Sequence, residues 1–419
     1  MLHRDTEGFY HTLEELINHK VVVSDLIHKL AGLRRSDVLV WVAGLSAFLQ
    51  QRGSLSRQQQ SELLPALLPH ELCNQIQLAL KSRNDPAACF FHRRQLWFVL
   101  QMALLACKEN TAVLPPDETR KAFGLCCMMA NDLLKQVELA QCHDAPETPN
   151  DAESLSYLIG VLVAFVEISY GAEIFARAQL LWLEIPEAPE MKSHAKRLGL
   201  EKTLDEAFDD AYGLPLRGFL FLATVAYYRF EQSSSDDPPS PLMFDSRLFF
   251  RRTANAAQVK KALVLISRTA DELAAQLLGT SRQTWATDLT PLAQSPLIQI
   301  EKDRYVCPDL HFFRSYFVHE LYGLVAKACT GVEFKQLFGS IFERYIERVI
   351  GGCAVEGPWL ARTFYHPVTF DGERNDEVCD GLFSWPSLTV LMEYKSGMLT
   401  KRQRHVTSAD DTIMGIEEK

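Results

Sequence analysis

Apolar and polar positions follow a helical period over the first half of the chain. From Leu13 to about Phe230, apolar residues recur three and four positions apart, and Leu, Ala, Gln and Glu dominate. Such spacing places the apolar side chains on one face of an α-helix. We therefore predict an all-α region over residues 1–230. Pro and acidic residues interrupt the pattern at the predicted breaks, which are Asn110–Glu118, Ala145–Asp151 and Ile185–Glu190.

The pattern changes after residue 230. Residues 231–241, with the sequence EQSSSDDPPSP, are rich in Ser, Asp and Pro and predict a linker or long loop. Residues 242–330 predict a helical region with a small β-hairpin. Its helices are expected at Ala254–Leu278 and Leu310–Thr330. The hairpin is expected at Pro296–Pro308, where two short apolar stretches flank a polar turn.

Residues 331–419 have the pattern of a mixed α/β domain. Phe334–Ile350 predicts a helix, and Ser408–Lys419 predicts the start of another. Between them lie three stretches with the composition of strands, which are Arg362–Phe370, Glu377–Ser384 and Leu388–Lys395. The predicted fold class is therefore mainly α, with a large all-α N-terminal region and a smaller α/β domain at the C-terminal end.

Composition and charge exclude some classes of protein. Apolar residues make up 47% of the chain, and 53 acidic residues against 43 basic ones give a formal charge of −10. These values are typical of a globular protein, and they argue against a protein that coats nucleic acid by bulk charge. A local basic groove remains compatible with them. Arg251, Arg252, Lys260, Lys261 and Arg268 form one basic group, which we interpret as a solvated face.

The cysteines and the longest apolar run bear on location. The ten cysteines include no C-x-x-C pair and stand mostly in apolar runs, as buried free thiols do. We therefore expect a reducing compartment and a cytoplasmic protein. The N-terminus has no apolar core of a secretory signal. The longest apolar run, Tyr157–Val166, is about half of the roughly 20 residues that a membrane span needs, so we expect no membrane association.

The candidate chemistry lies in the last two predicted strands. The sequence S-W-P-S between them predicts a turn. If Phe383 and Leu388 close the hairpin, Asp380 lies opposite Leu391, and Glu393 and Lys395 share its face. Asp380 and Glu393 are then diagonal neighbours, about 7–8 Å apart, and can reach one divalent ion. A register shift of one residue would place them on opposite faces.

These side chains together favour a metal site. Burying Asp, Glu and Lys at the end of a strand pair is costly without a partner, and Mg²⁺ or Mn²⁺ would supply one. Lys395 would orient an attacking water and stabilise charge on a phosphoryl group. The preceding helix is expected to bury a stripe from Phe338 to Val349, with Glu343 on its flank and Glu347 solvated on the opposite side.

These residues resemble a known family. The helix carries G-x-x-F-E-x-Y, a strand carries Asp380, and after a turn the next strand ends in Glu393-Tyr394-Lys395. This order resembles the PD-(D/E)xK, or restriction-endonuclease-like, nuclease superfamily. The resemblance covers residues 331–419. It implies Mg²⁺- or Mn²⁺-dependent hydrolysis of phosphodiesters, with Asp380 and Glu393 as metal ligands, Glu343 as an auxiliary ligand and Lys395 as the catalytic lysine.

The resemblance also sets expectations about completeness. The family core continues after the E-x-K strand with a helix and another strand. The sequence reaches Lys419 first, so we expect an incomplete restriction-endonuclease-like domain. The Pro that often precedes the first Asp is absent as well.

The function expected from the sequence is that of a metal-dependent nuclease. The resemblance favours DNA as substrate and, more distantly, a role in bacterial defence. Lys401, Arg402 and Arg404 are candidate phosphate contacts, and a solvated loop is the alternative. Cleavage of both strands would suit a homodimer, and the helical region would bind a protein partner. Two other functions stay open, which are a non-cleaving nuclease-like fold on a helical interaction scaffold and a nucleic-acid-binding module without catalysis.

Overall fold

The computed structural model describes most of the helical part of the chain and short pieces of its C-terminal part. The described residues are 10–51, 57–81, 89–143, 173–235, 242–251, 255–279, 289–329, 331–356, 363–365, 368–369, 377–379, 381–384 and 389–392. Helices dominate these ranges, which confirms a mainly α fold. A restriction-endonuclease-like domain stays a prediction. No helix within the described ranges is long and apolar enough to cross a membrane.

The chain divides into two compact units. The first comprises the described residues between 10 and 143 and between 225 and 316. The second comprises those between 173 and 224 and between 317 and 392. The predicted segments 1–230, 231–241, 242–330 and 331–419 stay predictions as domain boundaries.

The helices of the N-terminal stretch belong to the first unit. They are α1 (Leu13–Ile17), α2 (Val23–Ala31), α3 (Arg35–Gln51), α4 (Arg57–Leu67), α5 (His70–Lys81), α6 (Arg93–Ala106) and α7 (Pro116–His143). The central one is α6, because all residues from Gln95 to Leu104 are buried. A helix that is apolar on every side must be covered on every side. Accordingly, α6 packs against α2, α3 and α7.

The remaining helices follow in chain order. They are α8 (Glu173–Gln179), α9 (Ile185–Glu187), α10 (Pro189–Arg197), α11 (Leu204–Tyr212), α12 (Leu216–Ser235), α13 (Ser246–Phe249), α14 (Ala256–Ile266), α15 (Ala270–Leu278), α16 (Thr290–Gln294), α17 (Leu310–Ser315), α18 (Leu321–Cys329) and α19 (Val332–Glu356). Two π-helical turns, Leu180–Glu184 and Tyr316–Glu320, continue α8 and α17 without a break.

A mixed four-stranded sheet completes the first unit. Its strands are β1 (Met243–Asp245), β2 (Ser267–Thr269), β3 (Leu297–Glu301) and β4 (Arg304–Val306), in the order β1-β4-β3-β2. The predicted hairpin is confirmed, since β3 and β4 are antiparallel and Ile298 pairs with Val306. Asp303 adopts a left-handed conformation in the turn, with φ of 64°. An Asp tolerates that conformation better than most residues do.

The prediction of one helix over Ala254–Leu278 was wrong. Strand β2 separates α14 from α15 and pairs in parallel with β3. Thr269 then begins α15 with a capping box, in which its hydroxyl accepts the Glu272 N–H and the Glu272 carboxylate accepts the Thr269 N–H, at 3.2 and 2.8 Å. The T-x-x-E signature of this box was visible in the sequence. The prediction missed this helix start because apolar residues keep helical spacing on both sides of the short strand β2.

Other predicted boundaries shift by a few residues. Helix α12 continues through Ser235, so the beginning of the predicted linker is helical. The backbone hydrogen bonds of a helix form without burial of side chains, so polar residues can extend a helix beyond the core. The break predicted at Ile185–Glu190 narrows to the extended Ala188 before Pro189. The loop predicted at Asn110–Glu118 ends where α7 begins at Pro116. The predictions for Ala145–Asp151, Tyr157–Val166 and Ser408–Lys419 concern residues outside the described ranges.

Among the described residues of the first unit, Asp309 has the most deeply buried carboxylate. It is fully buried and receives hydrogen bonds from Arg93 Nε and Nη2 at 3.0 and 2.6 Å. Trp97 Nε1 donates at 2.7 Å and Gln50 Nε2 at 2.5 Å. The backbone N–H of His311 donates at 2.7 Å, so Asp309 also caps the N-terminus of α17. The carboxylate therefore connects α3, α6 and α17.

These donors control the ionisation of Asp309. Burial alone would raise the pKa of this carboxyl, but the charge and hydrogen bonds of Arg93 outweigh burial and lower the pKa to about 2. Because the folded-state pKa is below the ordinary value of 3.8, ionised Asp309 stabilises the fold above pH 3.8. That contribution is lost as the pH falls through about 2.

Close approach of helices explains Gly124 in the middle of α7. A Cβ atom built at this position would meet the carbonyl oxygen of Leu67 far inside van der Waals contact. The end of α4 therefore lies directly against the backbone of α7. By contrast, a Cβ built at Gly323 in α18 meets no atom within 4 Å.

We expect Gly124→Ala to destabilise the protein by about 1–3 kcal/mol, because α4 and α7 must separate. Gly323→Ala is the matched control, since it adds the same methyl group to a helix with room for it. The control should stabilise by up to about 1 kcal/mol through helix propensity. Urea unfolding followed by circular dichroism measures both changes. Equal effects of the two substitutions would contradict the close packing of Gly124.

We expect Asp309→Asn to destabilise the protein by about 3–5 kcal/mol, because the substitution removes the buried negative charge that Arg93 contacts. Asp271→Asn is the control. Asp271 pairs with Arg35, but its side chain is 87% exposed. Exposed ion pairs contribute little, so the control should leave the urea midpoint nearly unchanged. A midpoint for Asp309→Asn equal to that of the control would show that the buried pair is not important for stability.

Candidate functional site

The helix that carries Glu343 lies in the second unit. Helix α19 buries Phe334, Leu337, Phe338 and Ile341, which lie on one face at helical spacing. The ring of Trp182 stacks on that of Phe338 with centroids 5.2 Å apart. These contacts fix the rotation of α19 about its axis within this unit.

The predicted stripe is shorter than expected. Phe342, Tyr345 and Ile346 are half-buried and Val349 is 39% exposed, so the prediction that all of them are buried was wrong. The stripe is shorter because the covering aromatic rings lie near the beginning of the helix. Trp182 and Tyr322 contact α19 at Phe334 and Phe338.

Glu343 and Glu347 lie near the end of the buried stripe. Glu343 is exposed. Glu347, which we expected to be solvated, is half-buried. It forms an ion pair with Arg344, in which Glu347 Oε2 and Arg344 Nη1 are 2.6 Å apart. Of the residues predicted to be catalytic, Glu343 is the one that the structure describes.

The predicted strands of the C-terminal part are present as short pieces. They are β5 (Thr363–Tyr365), β6 (Val368–Thr369), β7 (Glu377–Cys379), β8 (Gly381–Ser384) and β9 (Thr389–Met392). An antiparallel three-stranded sheet has the order β5-β8-β9, and β6 pairs with β7. Helix α19 contacts β5. A helix followed by strands is therefore found in this part of the chain, with five short strands where three were predicted.

The hairpin register differs from the predicted one. Phe383 pairs with Val390 and not with Leu388. The shift is two residues, so residues predicted to share a face of the sheet still share it, because side chains alternate with a period of two. The described pairing runs from Ser384 with Thr389 to Gly381 with Met392.

The candidate ligands adjoin the end of this pairing in the sequence. Asp380 immediately precedes Gly381, and Glu393 immediately follows Met392. Both lie outside the described residues. The same is true of the predicted catalytic Lys395 and of the predicted phosphate contacts, which are Lys401, Arg402 and Arg404. Within the described ranges, no group of three or more His, Cys, Asp or Glu side chains could hold a metal ion.

Sequence reasoning missed one polar contact of α19. Ser340 Oγ and His194 Nε2 are 3.2 Å apart, which connects α19 to α10 one helical turn before Glu343. Helix α10 packs along α19 in the second unit. The two residues are far apart in the sequence, and no local pattern relates them.

A second cluster of ionisable and polar groups surrounds the buried His92, at the N-cap of α6. The Gln95 N–H donates to His92 Nδ1 at 3.3 Å, so this nitrogen carries no proton. His92 Nε2 then donates to Asn131 Oδ1 at 3.1 Å. The Asn131 amide in turn donates to the carbonyls of His11 and Phe90 at 3.0 and 3.1 Å. Both ring nitrogens are engaged in structural hydrogen bonds, which argues against a catalytic role.

Burial explains the ionisation of this histidine. Burial lowers the pKa of His92 to about 3, the positive charge of Arg94 acts in the same direction, and the hydrogen bond with Asn131 opposes both. The folded-state pKa is below the ordinary value of 6.5. Neutral His92 therefore stabilises the fold above pH 6.5, and this contribution is lost as the pH falls towards 3.

We expect His92→Asn to flatten the dependence of stability on pH. Between about pH 6 and 4, one such histidine contributes a slope of about 1.4 kcal/mol per pH unit. Asn is a preferred N-cap residue, so the variant keeps a cap on α6 but removes the titration. Urea unfolding at several pH values measures the slope. A slope equal to that of the wild type would contradict the assignment of a buried, neutral His92.

The comparisons with known proteins do not assign this chain. No family model, curated protein or solved structure matches it. The resemblance to PD-(D/E)xK nucleases therefore depends on the residues of this sequence, namely the helix with Glu343, the Asp380 strand and the strand ending at Lys395.

Proposed function

We propose that this chain is a metal-dependent nuclease that hydrolyses phosphodiester bonds of DNA. The observation that carries the proposal is the antiparallel β8–β9 hairpin, whose last described pair is Gly381 with Met392. If the register continues by one pair, Asp380 and Glu393 stand directly opposite each other. Their side chains would then be closer than in the predicted diagonal arrangement, since direct cross-strand neighbours have Cβ atoms about 4.5–5.5 Å apart.

The donor set suits a hard divalent cation. Asp380, Glu393 and the exposed Glu343 offer carboxylate oxygens, which Mg²⁺ and Mn²⁺ prefer. When bound, the ion would polarise the phosphate and lower the pKa of a bound water. Lys395 would hold the attacking water and offset negative charge on the phosphate oxygens. Within the second unit, contact of α19 with β5 supports a site that combines the helix with the sheet.

We expect the purified chain to cut DNA in Mg²⁺ or Mn²⁺ and not in EDTA. Supercoiled plasmid, linear duplex and single-stranded DNA are compared on gels. Asp380→Asn, Glu393→Gln and Lys395→Ala should each lower the cleavage rate by about 10²-fold or more, because each removes charge from the reacting site. Glu343→Gln should retain more activity but require a higher Mg²⁺ concentration for half-maximal cleavage.

Matched controls come from the β3–β4 turn of the first unit. Glu301→Gln and Lys302→Ala make the same chemical changes on another hairpin and should cut at the wild-type rate. Cleavage that persists in both Asp380→Asn and Lys395→Ala would refute the proposed site and reveal a contaminating nuclease. Absence of cleavage by the wild type on every substrate would favour the non-cleaving alternative.

A further inference from the structure

Helix α10 carries three basic side chains, two of which are adjacent at its C-terminal end. The helix contains Lys192, Lys196 and Arg197, whereas the whole chain has a formal charge of −10. Lys192 pairs with Glu187 at 2.6 Å. Lys196 and Arg197 are exposed, and neither has an ion-pair partner among the residues that the structure describes. Two neighbouring cations are therefore available to a ligand.

The end of α10 does not need these side chains as caps. The backbone N–H groups of Leu198 and Gly199 donate to the carbonyls of His194 and Lys196, at 3.1 and 3.0 Å. The Leu200 N–H donates to the Ala195 carbonyl at 3.0 Å. Gly199, with φ of +88°, supplies the left-handed residue of this Schellman-type ending. The carbonyls that cationic side chains often cap are already satisfied.

The position of α10 relates these cations to Glu343. His194 of α10 and Ser340 of α19 are within hydrogen-bonding distance, at 3.2 Å. Residues three apart in a helix lie on neighbouring parts of one face. Glu343 is three residues after Ser340, and Arg197 is three residues after His194. Arg197 and the candidate ligand Glu343 therefore each lie about one helical turn from the same helix–helix contact, and Lys196 adjoins Arg197 in the sequence.

We propose that Lys196 and Arg197 bind backbone phosphates of the DNA substrate. The inference rests on the proposed nuclease function, because it takes the substrate class from it. Lys and Arg side chains are the usual partners of DNA phosphates, and exposed cations can engage them without breaking an existing ion pair. Phosphate contacts here would hold the strand beside the helix that carries Glu343, and they would not depend on a bound metal.

The test measures binding of fluorescent DNA to the full chain by anisotropy in EDTA, where metal-dependent cleavage is absent. We expect Lys196→Ala/Arg197→Ala to weaken binding about tenfold or more at low salt. The slope of log affinity against log salt concentration should become shallower by about 1.8 for duplex DNA, which corresponds to two lost phosphate contacts. The matched control is Lys260→Ala/Lys261→Ala, which removes two adjacent cations from α14.

The outcomes separate this inference from the proposed function. Weaker binding by the α10 variant but not by the α14 variant supports the inference, even if the wild type never cleaves. Equal loss in both variants indicates attraction by bulk charge and overturns it. Unchanged binding by the α10 variant overturns it too, as does wild-type binding that is confined to RNA of the same length. A lower thermal midpoint without weaker binding would assign the cations to stabilisation of the helix.

Discussion

The packing of three helices in the first compact unit depends on one buried carboxylate, that of Asp309. Removing an ion of this kind from water costs several kcal/mol even after relaxation, and attraction to a partner offsets the cost only with good geometry and further hydrogen bonds. Asp309 has both. Its two oxygens receive donors from Arg93, Trp97, Gln50 and the backbone of His311. All these donors converge only if α3, α6 and α17 adopt one arrangement, so the buried charge selects that arrangement over other compact packings.

Near His92, buried polar side chains likewise hold the backbone of Phe90 and Phe91 in place. Gln60 accepts hydrogen bonds from the N–H groups of Phe90 and Phe91, at 2.5 and 2.9 Å, and donates to the Phe91 carbonyl at 3.1 Å. Gln95 donates to the Phe90 carbonyl at 3.0 Å. A segment without regular secondary structure can be buried only when its backbone groups find such partners. Buried amide side chains therefore replace the hydrogen bonds that a helix or sheet would supply, and they attach this segment to α4, α6 and α7.

The sequence predicts those parts of the fold that depend on interactions between residues close in the sequence, and it misses those that depend on distant residues. The helices and the β3–β4 hairpin depend on local periodicity and turn residues, and both were predicted. Strand β2 was missed because its three residues acquire their conformation from pairing with β3, which is distant in the sequence. The partners of Asp309 were missed for a related reason. Nothing near Asp309 in the sequence indicates that Arg93 lies opposite.

For the β8–β9 hairpin, the sequence predicts which residues share a face of the sheet more reliably than which residues pair. The observed register differs from the predicted one by two residues, and because this shift is even, residues predicted to share a face still share it. The shift changes the expected spacing, since continued pairing would turn diagonal neighbours into direct ones. Two carboxylates directly opposite each other repel, and pairing that continued through them would be destabilised without a counter-charge. A divalent cation reverses the sign of that interaction. Under the proposed function, the register would therefore couple further pairing along the hairpin to metal binding, more strongly than the diagonal arrangement would.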